Sequence, residues 1–558
     1  MKPVSFPPNV VMMIVDDLAY GDLSCLGNPY TRTAALDALH EQSVRMTHYC
    51  SGPLCTPARA ALLTGRHPYR TRAIDTYLGR SNLDGGEVTL AHLFQRAGYR
   101  TGLFGKWHLG DTRPNDPNSM GFDEALYHTG GGLRQPANHG CDSYFDPDLL
   151  HNGHRVTTQG YCTDIFTDAA CDFMRTAQEP FFCYLAFNAV HTPLEIVEHW
   201  ADPFRQQGLP EVWCRLYGML QNLDENIGKV SACLEELKLT ENTIVLFTAD
   251  HGPCGSASHQ GTVRFNAGLR GHKGQFYEGG VRVPCFWSWP SRWQSRDVNL
   301  LSNPIDVMKT LAEPCGLSLP SDRKLDGASL STVLAGEEPG QTLSERSICL
   351  QWHRGARPTK GLNAVCIGPR YKWYSVEPGK VELYDLENDP HEAHDLAATE
   401  EEIAGAMGAT YAAWFDDVCG ERQLLDPERE PGVPILMAAD DELPTLLTWQ
   451  DWVPYEGEEG WSRDNPGYWL ATVEERAVYR ILVESEVGAP ALPLVFQFGP
   501  VELRLPAVEK VQALCFELEL PAASAQLHCY YEQAGARVGP RYVSIRRQKT
   551  GDHARTKA

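Results

Sequence analysis

The sequence has no long apolar run that could serve as an anchor. Near the start the longest such run is Val10–Val15, which is too short to span a bilayer and leads into two aspartates. Pro3, Pro7 and Pro8 interrupt the apolar region that a signal peptide would need. We therefore expect a cytoplasmic protein with no membrane partner, and a periplasmic location only if a leader was removed.

An excess of positive charge is also missing. Lys and Arg together number 49 against 72 for Asp and Glu, which gives a formal net charge of -23. A chain this acidic is repelled by phosphate backbones and anionic lipids, and this argues against nucleic acid as a partner. An anionic substrate would need a site that is locally basic.

Closely spaced cysteine pairs are absent as well. The 17 cysteines are an odd number and form no CxxC pair, which argues against a zinc site or a redox motif. Most are interpreted as buried free thiols in a reducing compartment, because a thiol within an apolar strand behaves as a small hydrophobe. Cys55 is the exception.

Over the first three hundred residues, short apolar runs alternate with amphipathic segments. This order predicts an α/β fold, with a large mostly parallel sheet sandwiched by helices, as the catalytic domain over residues 1–335. Between Leu216 and Leu237, apolar residues recur at helical spacing and form one face of a long predicted helix. The clearest predicted strands are Asn9–Val15, Thr101–Phe104, Phe181–Phe187 and Thr243–Thr248.

The remaining chain is predicted in three parts. Residues 336–419 read as a small antiparallel sheet plus a helix, and residues 420–460, with 11 acidic and 2 basic residues, as an acidic linker. Residues 461–558 read as a β-rich, β-sandwich-like accessory domain. Its role is either structural or carbohydrate binding, and the candidates for stacking on sugar rings are Trp449, Trp452, Trp461 and Trp469.

Acidic residues follow two of the predicted strands. Asp16 and Asp17 end the first strand, and Asp250 with His251 ends the strand at 243–248. In a parallel sheet these carboxylates would converge and repel unless a cation neutralised them. An oxygen-rich set suits a hard ion such as calcium or magnesium.

A second element begins at Cys55. Pro57 suits a first helical turn and Gly65 suits the position beyond its end, so Cys55 lies at a helix N-terminus with Arg59 one turn further on. The free amides and positive dipole of such an end favour an anion.

These segments together resemble the type I sulfatases of the alkaline phosphatase superfamily. Their signature C-x-P-x-R is matched by Cys55, Pro57 and Arg59, and it continues into Leu62 to Arg66 in the manner of the family. The order and spacing hold over about residues 8–418. Further matching segments are Val15 to Leu18 with Gly21 and Asp22, Gly105 to Gly110, His191 to Pro193, Thr248 to Gly252, and Gly271 to Gly280.

The resemblance implies a sulfatase that hydrolyses aryl or carbohydrate sulfate monoesters. Cys55 would be converted to formylglycine by a separate maturation enzyme, and its hydrate would attack sulfur. The implied metal is Ca²⁺, with Mg²⁺ as an alternative. The implied ligands are Asp16, Asp17, Asp250, His251 and the residue made from Cys55.

Five further side chains take catalytic roles by the same resemblance. Arg59, Lys106 and Lys273 would counter charge on the hydrate and on the sulfuryl oxygens. His108 would accept the proton that releases sulfate, and His191, with Lys273, would protonate the leaving oxygen.

Two other functions stay open on the sequence. A phosphonate monoester or phosphodiester hydrolase of the same superfamily can use the same modified cysteine, but it generally lacks the Lys and His present here as Lys106 and His108. A non-catalytic protein that binds sulfated glycans would result if Cys55 stayed unmodified. Positional candidates for sugar contacts are Arg134, His139 and His272.

Overall fold

The computed structural model of the chain describes residues 7–135, 137–138, 141–177, 180–254, 258–259, 262–438, 443–455, 462–485, 491–507 and 512–548. The first twelve described strands are β1 (Asn9–Val15), β2 (Val44–Met46), β3 (Arg100–Lys106), β4 (Glu124–His128), β5 (Asp148–His151), β6 (His154–Thr157), β7 (Phe181–Ala186), β8 (Thr243–Ala249), β9 (Ser258–His259), β10 (Thr262–Val263), β11 (Cys285–Ser288) and β12 (Arg296–Val298).

Ten of these strands form one sheet in the order β12-β2-β11-β8-β1-β7-β3-β4-β5-β6. At its centre, β1 pairs in parallel with β7 and β8, and β3 pairs in parallel with β7 and β4. Every residue of β1 is buried, as expected for a strand covered by helices on both faces. The predicted large, mostly parallel sheet is confirmed.

Helices cover both faces of this sheet. The long predicted helix is observed as α7, and the leucines of its predicted face are buried up to Leu234. No helix within the described residues is long and apolar enough to cross a membrane. The helices are α1 (Ala34–Gln42), α2 (Cys55–Thr64), α3 (Pro68–Thr71), α4 (Leu90–Arg96), α5 (Cys162–Thr176), α6 (Glu198–Gln206), α7 (Glu211–Glu236), α8 (Glu278–Val281), α9 (Asp306–Cys315), α10 (Ser331–Leu334), α11 (Gln341–Ser344) and α12 (Glu401–Glu421).

A smaller sheet follows, with all neighbours antiparallel in the order β13-β14-β15-β16. Trp373 of this sheet stacks on Tyr411 of α12, which fixes the helix against the sheet. The predicted antiparallel sheet with one helix is therefore present. Its strands are β13 (Ile348–Gln351), β14 (Ala364–Ile367), β15 (Tyr371–Glu377) and β16 (Lys380–Asp385).

The C-terminal strands form two further sheets, of seven and four strands, which share one core. Phe496 of the first sheet meets Phe516 of the second edge to face. These strands are β17 (Ile435–Leu436), β18 (Thr445–Leu447), β19 (Val453–Pro454), β20 (Gly467–Val473), β21 (Ala477–Glu484), β22 (Leu494–Phe498), β23 (Val501–Leu505), β24 (Ala513–Leu520), β25 (Ala523–Gln533), β26 (Ala536–Val538) and β27 (Tyr542–Arg547).

The tryptophans proposed for sugar stacking do not share one environment. Trp452 and Trp469 are 0% and 1% exposed inside the C-terminal core, so they pack there and do not offer a free ring face. Trp449 is half-buried against the same core, and Trp461 lies outside the described residues. Burial of these large rings follows from the need of two small sheets for an apolar filling.

The stretch predicted as an acidic linker takes part in the fold. It supplies β17, β18 and β19 to the C-terminal sheets. It also contacts the catalytic part, where the Gly79 amide donates to the Gln450 carbonyl at 3.1 Å and Leu78 packs into the C-terminal core. Apolar residues between the acids, such as Ile435 and Leu447, provide the buried faces for this packing.

Candidate active site

The strand ends of the large sheet bring the predicted polar residues together. Asp16 and Asp17 follow β1, and Asp250 and His251 follow β8, while Lys106 is the last residue of β3. Because these strands are parallel, their carboxyl ends meet at one edge of the sheet, where ligand sites of α/β proteins lie.

Cys55 is the first residue of α2, as the sequence predicts. Leu54 before it is extended, and the helix ends at Gly65 in the left-handed conformation with φ of 66°, donating to the Ala61 carbonyl at 3.0 Å. Cys55 is buried, and its Sγ lies 3.0 Å from His251 Nε2 and 3.5 Å from Asp16 Oδ1. The helix therefore places the thiol among the strand-end residues.

Each aspartate of this site has a cationic partner. Lys106 Nζ donates to Asp16 Oδ2 at 2.5 Å, and Lys273 Nζ donates to Asp17 Oδ1 at 2.7 Å. Asp250 Oδ2 accepts from Arg59 Nη2 at 2.9 Å. The site is thus a network of alternating charges whose members are almost entirely buried.

These charges shift the acidities of the site in opposite directions. Burial disfavours the charged form of Asp16, but Lys106 together with the other cationic groups of the site outweighs it and holds the pKa well below its usual range. Asp17, buried beside Lys273, has its pKa lowered to about 2 in the same way. For Asp250, burial and the charge of Asp16 prevail and raise the pKa to about 6.

The thiol of Cys55 is also acidified. Burial and Asp16 oppose its ionisation, yet Lys106, Lys273 and His251 lower its pKa to about 5. The position of residue 55 therefore stabilises a negative charge, which suits a group that carries an oxyanion during reaction.

Arg59 is more enclosed than its predicted role requires. Its side chain is fully buried, and besides Asp250 it binds the Lys106 carbonyl at 3.2 Å through Nη1. The guanidinium thus holds two strand ends together.

The donor set fits a divalent cation. One ligand atom from each of Asp16, Cys55, Asp250 and His251 lies within 4.8 Å of the others. Asp250 Oδ1 is buried and has no hydrogen-bond partner, which leaves it available for a cation. Asp17 lies at the edge of the set, with Oδ1 3.6 Å from His251 Nδ1.

His251 is oriented for such a cation. Its Nδ1 lies 2.9 Å from the Gly252 carbonyl, so the Nδ1 proton is donated there and Nε2 faces the cluster. Burial alone would lower the pKa of His251, but Asp250 and Cys55 raise it to about 9. The surroundings of Nε2 therefore favour positive charge.

The two predicted proton-transfer histidines each have one ring nitrogen close to a backbone carbonyl. His108 Nε2 lies 3.0 Å from the Thr76 carbonyl, and its Nδ1 has no partner. His191 Nδ1 lies 2.7 Å from the Thr192 carbonyl, with Nε2 3.8 Å from Asp17 Oδ2. In both rings one nitrogen is fixed by a carbonyl, which leaves the other for proton transfer.

Sequence reasoning missed the glycines that cover these histidines. A Cβ on Gly131 would lie 2.5 Å from His108 Cε1, and a Cβ on Gly132 would lie 2.8 Å from His191 Cε1. Only glycine allows this close approach. Three consecutive glycines at 130–132 were the available signal.

Arg264 was also missed. Its Nη2 donates to the Asp17 carbonyl at 3.0 Å and its Nε to Asp22 Oδ1 at 3.0 Å. It therefore fixes the backbone of a site residue from a distant part of the chain, for which no local pattern exists.

The positional candidates for sugar contacts are dispersed. Arg134 forms an ion pair with Glu195 on an exposed rim near His191. His272 Nδ1 lies 3.0 Å from the Lys273 carbonyl. His139 lies outside the described residues.

Comparison with known proteins decides the family. Residues 8–317 match the family described as Sulfatase, and residues 271–407 match the one described as N-sulphoglucosamine sulphohydrolase, C-terminal. The chain belongs to the sulfatase family. Mouse steryl-sulfatase is 30% identical over 82% of this chain and 87% of its own length. Human arylsulfatase A is 32% identical over 73% of this chain and 85% of its own length.

Two further relatives are similar to this sulfatase. Dog N-acetylgalactosamine-6-sulfatase is 32% identical over 66% of this chain and 71% of its own length. The crystal structure of Ps i-CgsB in complex with k-i-k-neocarrahexaose has a TM-score of 0.66 and 28% identity, covering 73% of this chain and 92% of that one.

The family settles the reaction class. This sulfatase is a sulfuric ester hydrolase that cleaves sulfate monoesters, and the family reaction uses formylglycine and a divalent metal. The expectation of a cytoplasmic location is wrong, since relatives such as arylsulfatase A and steryl-sulfatase are secreted, lysosomal or endoplasmic-reticulum proteins. Buried thiols were a poor guide to compartment, because close packing shields them whatever the surrounding redox state.

Proposed function

We propose that this sulfatase removes sulfate from a sulfated carbohydrate, with the side chain made from Cys55 as its nucleophile. The observation that supports this best is the position of Cys55 at the start of α2, with Sγ 3.0 Å from His251 Nε2 and 3.5 Å from Asp16 Oδ1. Lys106, which is paired with Asp16, and Lys273, which is paired with Asp17, add two positive charges beside it.

Two groups complete the site. Conversion of Cys55 to formylglycine supplies an aldehyde whose hydrate carries the attacking hydroxyl. A divalent cation, which we propose to be Ca²⁺, supplies a Lewis acid that polarises oxygen. Asp16, Asp17, Asp250, His251 and residue 55 would hold it, and the predominance of carboxylate oxygens favours a hard ion.

Lys106 and Lys273 would counter the charge of the sulfate group. Each is already fixed by an aspartate, so neither ammonium needs to reorganise when the substrate binds. Arg59 would act indirectly, because its guanidinium already donates hydrogen bonds to Asp250 and to the Lys106 carbonyl.

His108 and His191 would move the protons. With Nε2 bound to the Thr76 carbonyl, His108 would accept a proton at Nδ1. His191 Nε2 lies 3.8 Å from Asp17 Oδ2, and His191 would donate to the leaving oxygen. The glycines at 131 and 132 let the backbone approach both rings closely.

Aromatic and charged side chains beside Lys273 favour a carbohydrate as the substrate. Trp352 lies against Gly274, next to Lys273, and donates through Nε1 to Asp75 Oδ1 at 3.2 Å. Arg354 stacks over Trp352 at 5.5 Å and over Tyr77 at 4.5 Å. An aromatic wall carrying fixed charges suits the apolar faces and hydroxyls of sugar rings. The k-i-k-neocarrahexaose bound to Ps i-CgsB and the name N-acetylgalactosamine-6-sulfatase support the same substrate class.

The test has two parts. Mass spectrometry of the peptide containing Cys55 is expected to show the aldehyde, installed by a maturation enzyme that recognises the segment around Pro57 and Arg59. Turnover of sulfated oligosaccharides, an aryl sulfate and an aryl phosphonate monoester is then compared. Faster phosphonate turnover would contradict the sulfatase proposal, and aryl sulfate turnover without any sugar sulfate turnover would contradict the substrate class.

A further inference from the structure

A second pair of carboxylates lies outside the active site, with Asp451 buried and Asp111 partly exposed. Asp451, in the segment that docks on the catalytic part, is 5% exposed, and neither of its carboxylate oxygens has a hydrogen-bond partner. Asp111 is the charged group that acts most strongly on it. In the part of the chain that the structure describes, no Lys or Arg forms an ion pair with either acid. The Gly130 amide donates to Asp111 at 3.1 Å, but no cationic side chain among the described residues balances the two acids.

Three buried amide oxygens in the neighbouring segments lack hydrogen-bond partners, as do the oxygens of Asp451. They are Asn82 Oδ1, Asn115 Oδ1 and Gln450 Oε1, in side chains that are 2% exposed or less. A Cβ on Gly110 would lie 3.2 Å from Asn82 Oδ1 and 3.2 Å from Asn115 Cγ, and Asp111 is the next residue. The Asn82 and Thr448 side chains also approach the Asp451 carboxylate, without meeting hydrogen-bond geometry.

Such an arrangement is unfavourable with protein groups alone. Burial and the charge of Asp111 raise the pKa of Asp451 to about 8, and burial raises the pKa of Asp111 to about 6. Buried polar oxygens without donors lose the hydrogen bonds that water would give them. Carboxylates and amide carbonyls together are, however, the ligands of a hard cation.

We propose that Asp111 and Asp451, with the amide oxygens of Asn82, Asn115 and Gln450, bind a second divalent cation of the Ca²⁺ class. The cluster contains neither imidazole nor thiolate, which disfavours zinc. Access is present, because Asp111 and Thr448 line a cavity of about 710 Å³ between the catalytic part and the C-terminal sheets. This site shares no residue with the active-site metal set.

The cation would join two parts of the chain next to a catalytic histidine. Asp111 lies in the loop that carries His108, whereas Asp451 belongs to the segment leading into the C-terminal sheets. Gln450 Nε2 donates to the Thr76 carbonyl at 2.5 Å, and His108 Nε2 lies 3.0 Å from the same carbonyl. Binding at the cluster would therefore hold this shared hydrogen-bond acceptor in place.

Metal content tests the proposal. The full chain is equilibrated with CaCl₂, freed of excess ion by desalting, and analysed by mass spectrometry for calcium. We expect about two ions per chain in the wild type and about one in Asp451→Asn. The matched control is Asp224→Asn, since Asp224 is a buried acid whose pKa is raised to about 6 by burial but whose oxygens accept from the Leu36 and Ala35 amides at 2.8 and 3.1 Å. It should keep the wild-type content.

A variant at the other site separates the two assignments. Asp16→Asn should lose the active-site ion and keep the ion at Asp451. Its failure to lose calcium would count against the proposed active-site metal only. About one ion per chain in the wild type, lost in Asp16→Asn and kept in Asp451→Asn, would overturn the second site and point to a proton shared between Asp111 and Asp451. If Asp451→Asn does not fold, Tb³⁺ titration of the wild type decides between one and two classes of site.

Discussion

Two groups of acids in this sulfatase differ in how their charge is balanced. At the active site, Asp16, Asp17 and Asp250 each bind a lysine or arginine of the same chain. At the junction with the C-terminal sheets, Asp111 and Asp451 bind no cationic side chain among the described residues. The first group is electrostatically supported by the protein, and the second requires an ion or a proton from solution.

This difference distinguishes a site whose charges are in place before anything binds from a site whose geometry depends on what is bound. The active-site lysines hold their positions before any substrate arrives, which is what electrostatic catalysis requires. The junction has no such internal support, so its geometry would depend on what is bound there. Catalytic chemistry and structural linkage therefore have different electrostatic signatures within one chain.

The largest effect should follow from removing the nucleophile. Cys55→Ala eliminates the proposed precursor of formylglycine, and we expect kcat to fall by at least about a thousandfold, as is typical for loss of a covalent catalyst. Turnover of a sulfated oligosaccharide measures it. Cys515→Ala, an exposed thiol in the C-terminal sheets, is the control and should keep wild-type turnover. A Cys55→Ala protein with more than a tenth of wild-type activity would remove residue 55 from the reaction.

The next effect follows from leaving an active-site acid without a cationic partner, which is the condition of the acids at the junction. Lys106→Met leaves Asp16 buried without its partner at 2.5 Å, and we expect kcat/KM to fall by about a hundredfold to a thousandfold. The free energy of unfolding should also fall by about 3 kcal/mol, because an uncompensated charge stays buried. Denaturant unfolding measures the second effect. Lys360→Met, which removes an exposed pair with Asp416, should change neither quantity appreciably.

Much of the catalytic part was predictable because its signals are local. β1 has the predicted bounds, since a wholly apolar run bounded by aspartates has few alternatives in a parallel sheet. Cys55 falls at a helix start because Pro57 and Gly65 restrict the backbone at both ends. Parallel strands then bring their ends together without further information.

The junction could not be predicted for the opposite reason. Asp111 and Asp451 are far apart in the sequence, and no periodicity connects them. Asp451 belongs to a stretch whose acidic composition suggests a solvated linker, yet it is 5% exposed. Whether an acid is solvated or buried there depends on docking between distant segments, which composition does not encode.

Chelation should change how the two groups contribute to stability. In Ca²⁺, Asp111→Asn should be less stable than the wild type by about 2 kcal/mol, because a ligand of a bound ion is lost. In chelator the difference should vanish or reverse, since the substitution also removes a repulsive charge. Thermal and denaturant unfolding in both conditions measure this. Asp224→Asn is the control, with the same stability change in both. Equal destabilisation of Asp111→Asn in the two conditions would exclude an ion at the junction.

The smallest effect tests whether a change at the junction alters the rate of the catalytic step. Gln450→Met keeps the length of the side chain but removes the donor to the Thr76 carbonyl, which His108 Nε2 also contacts. Loss of one such hydrogen bond, about 1 kcal/mol, corresponds to about a fivefold fall in kcat. KM should stay unchanged, because Gln450 positions His108 and does not touch the substrate. Gln526→Met, which loses a hydrogen bond to Glu430 on the C-terminal sheet, should leave kcat at the wild-type value. If Gln450→Met raises KM and spares kcat, the junction acts on substrate binding and the positioning of His108 does not depend on it.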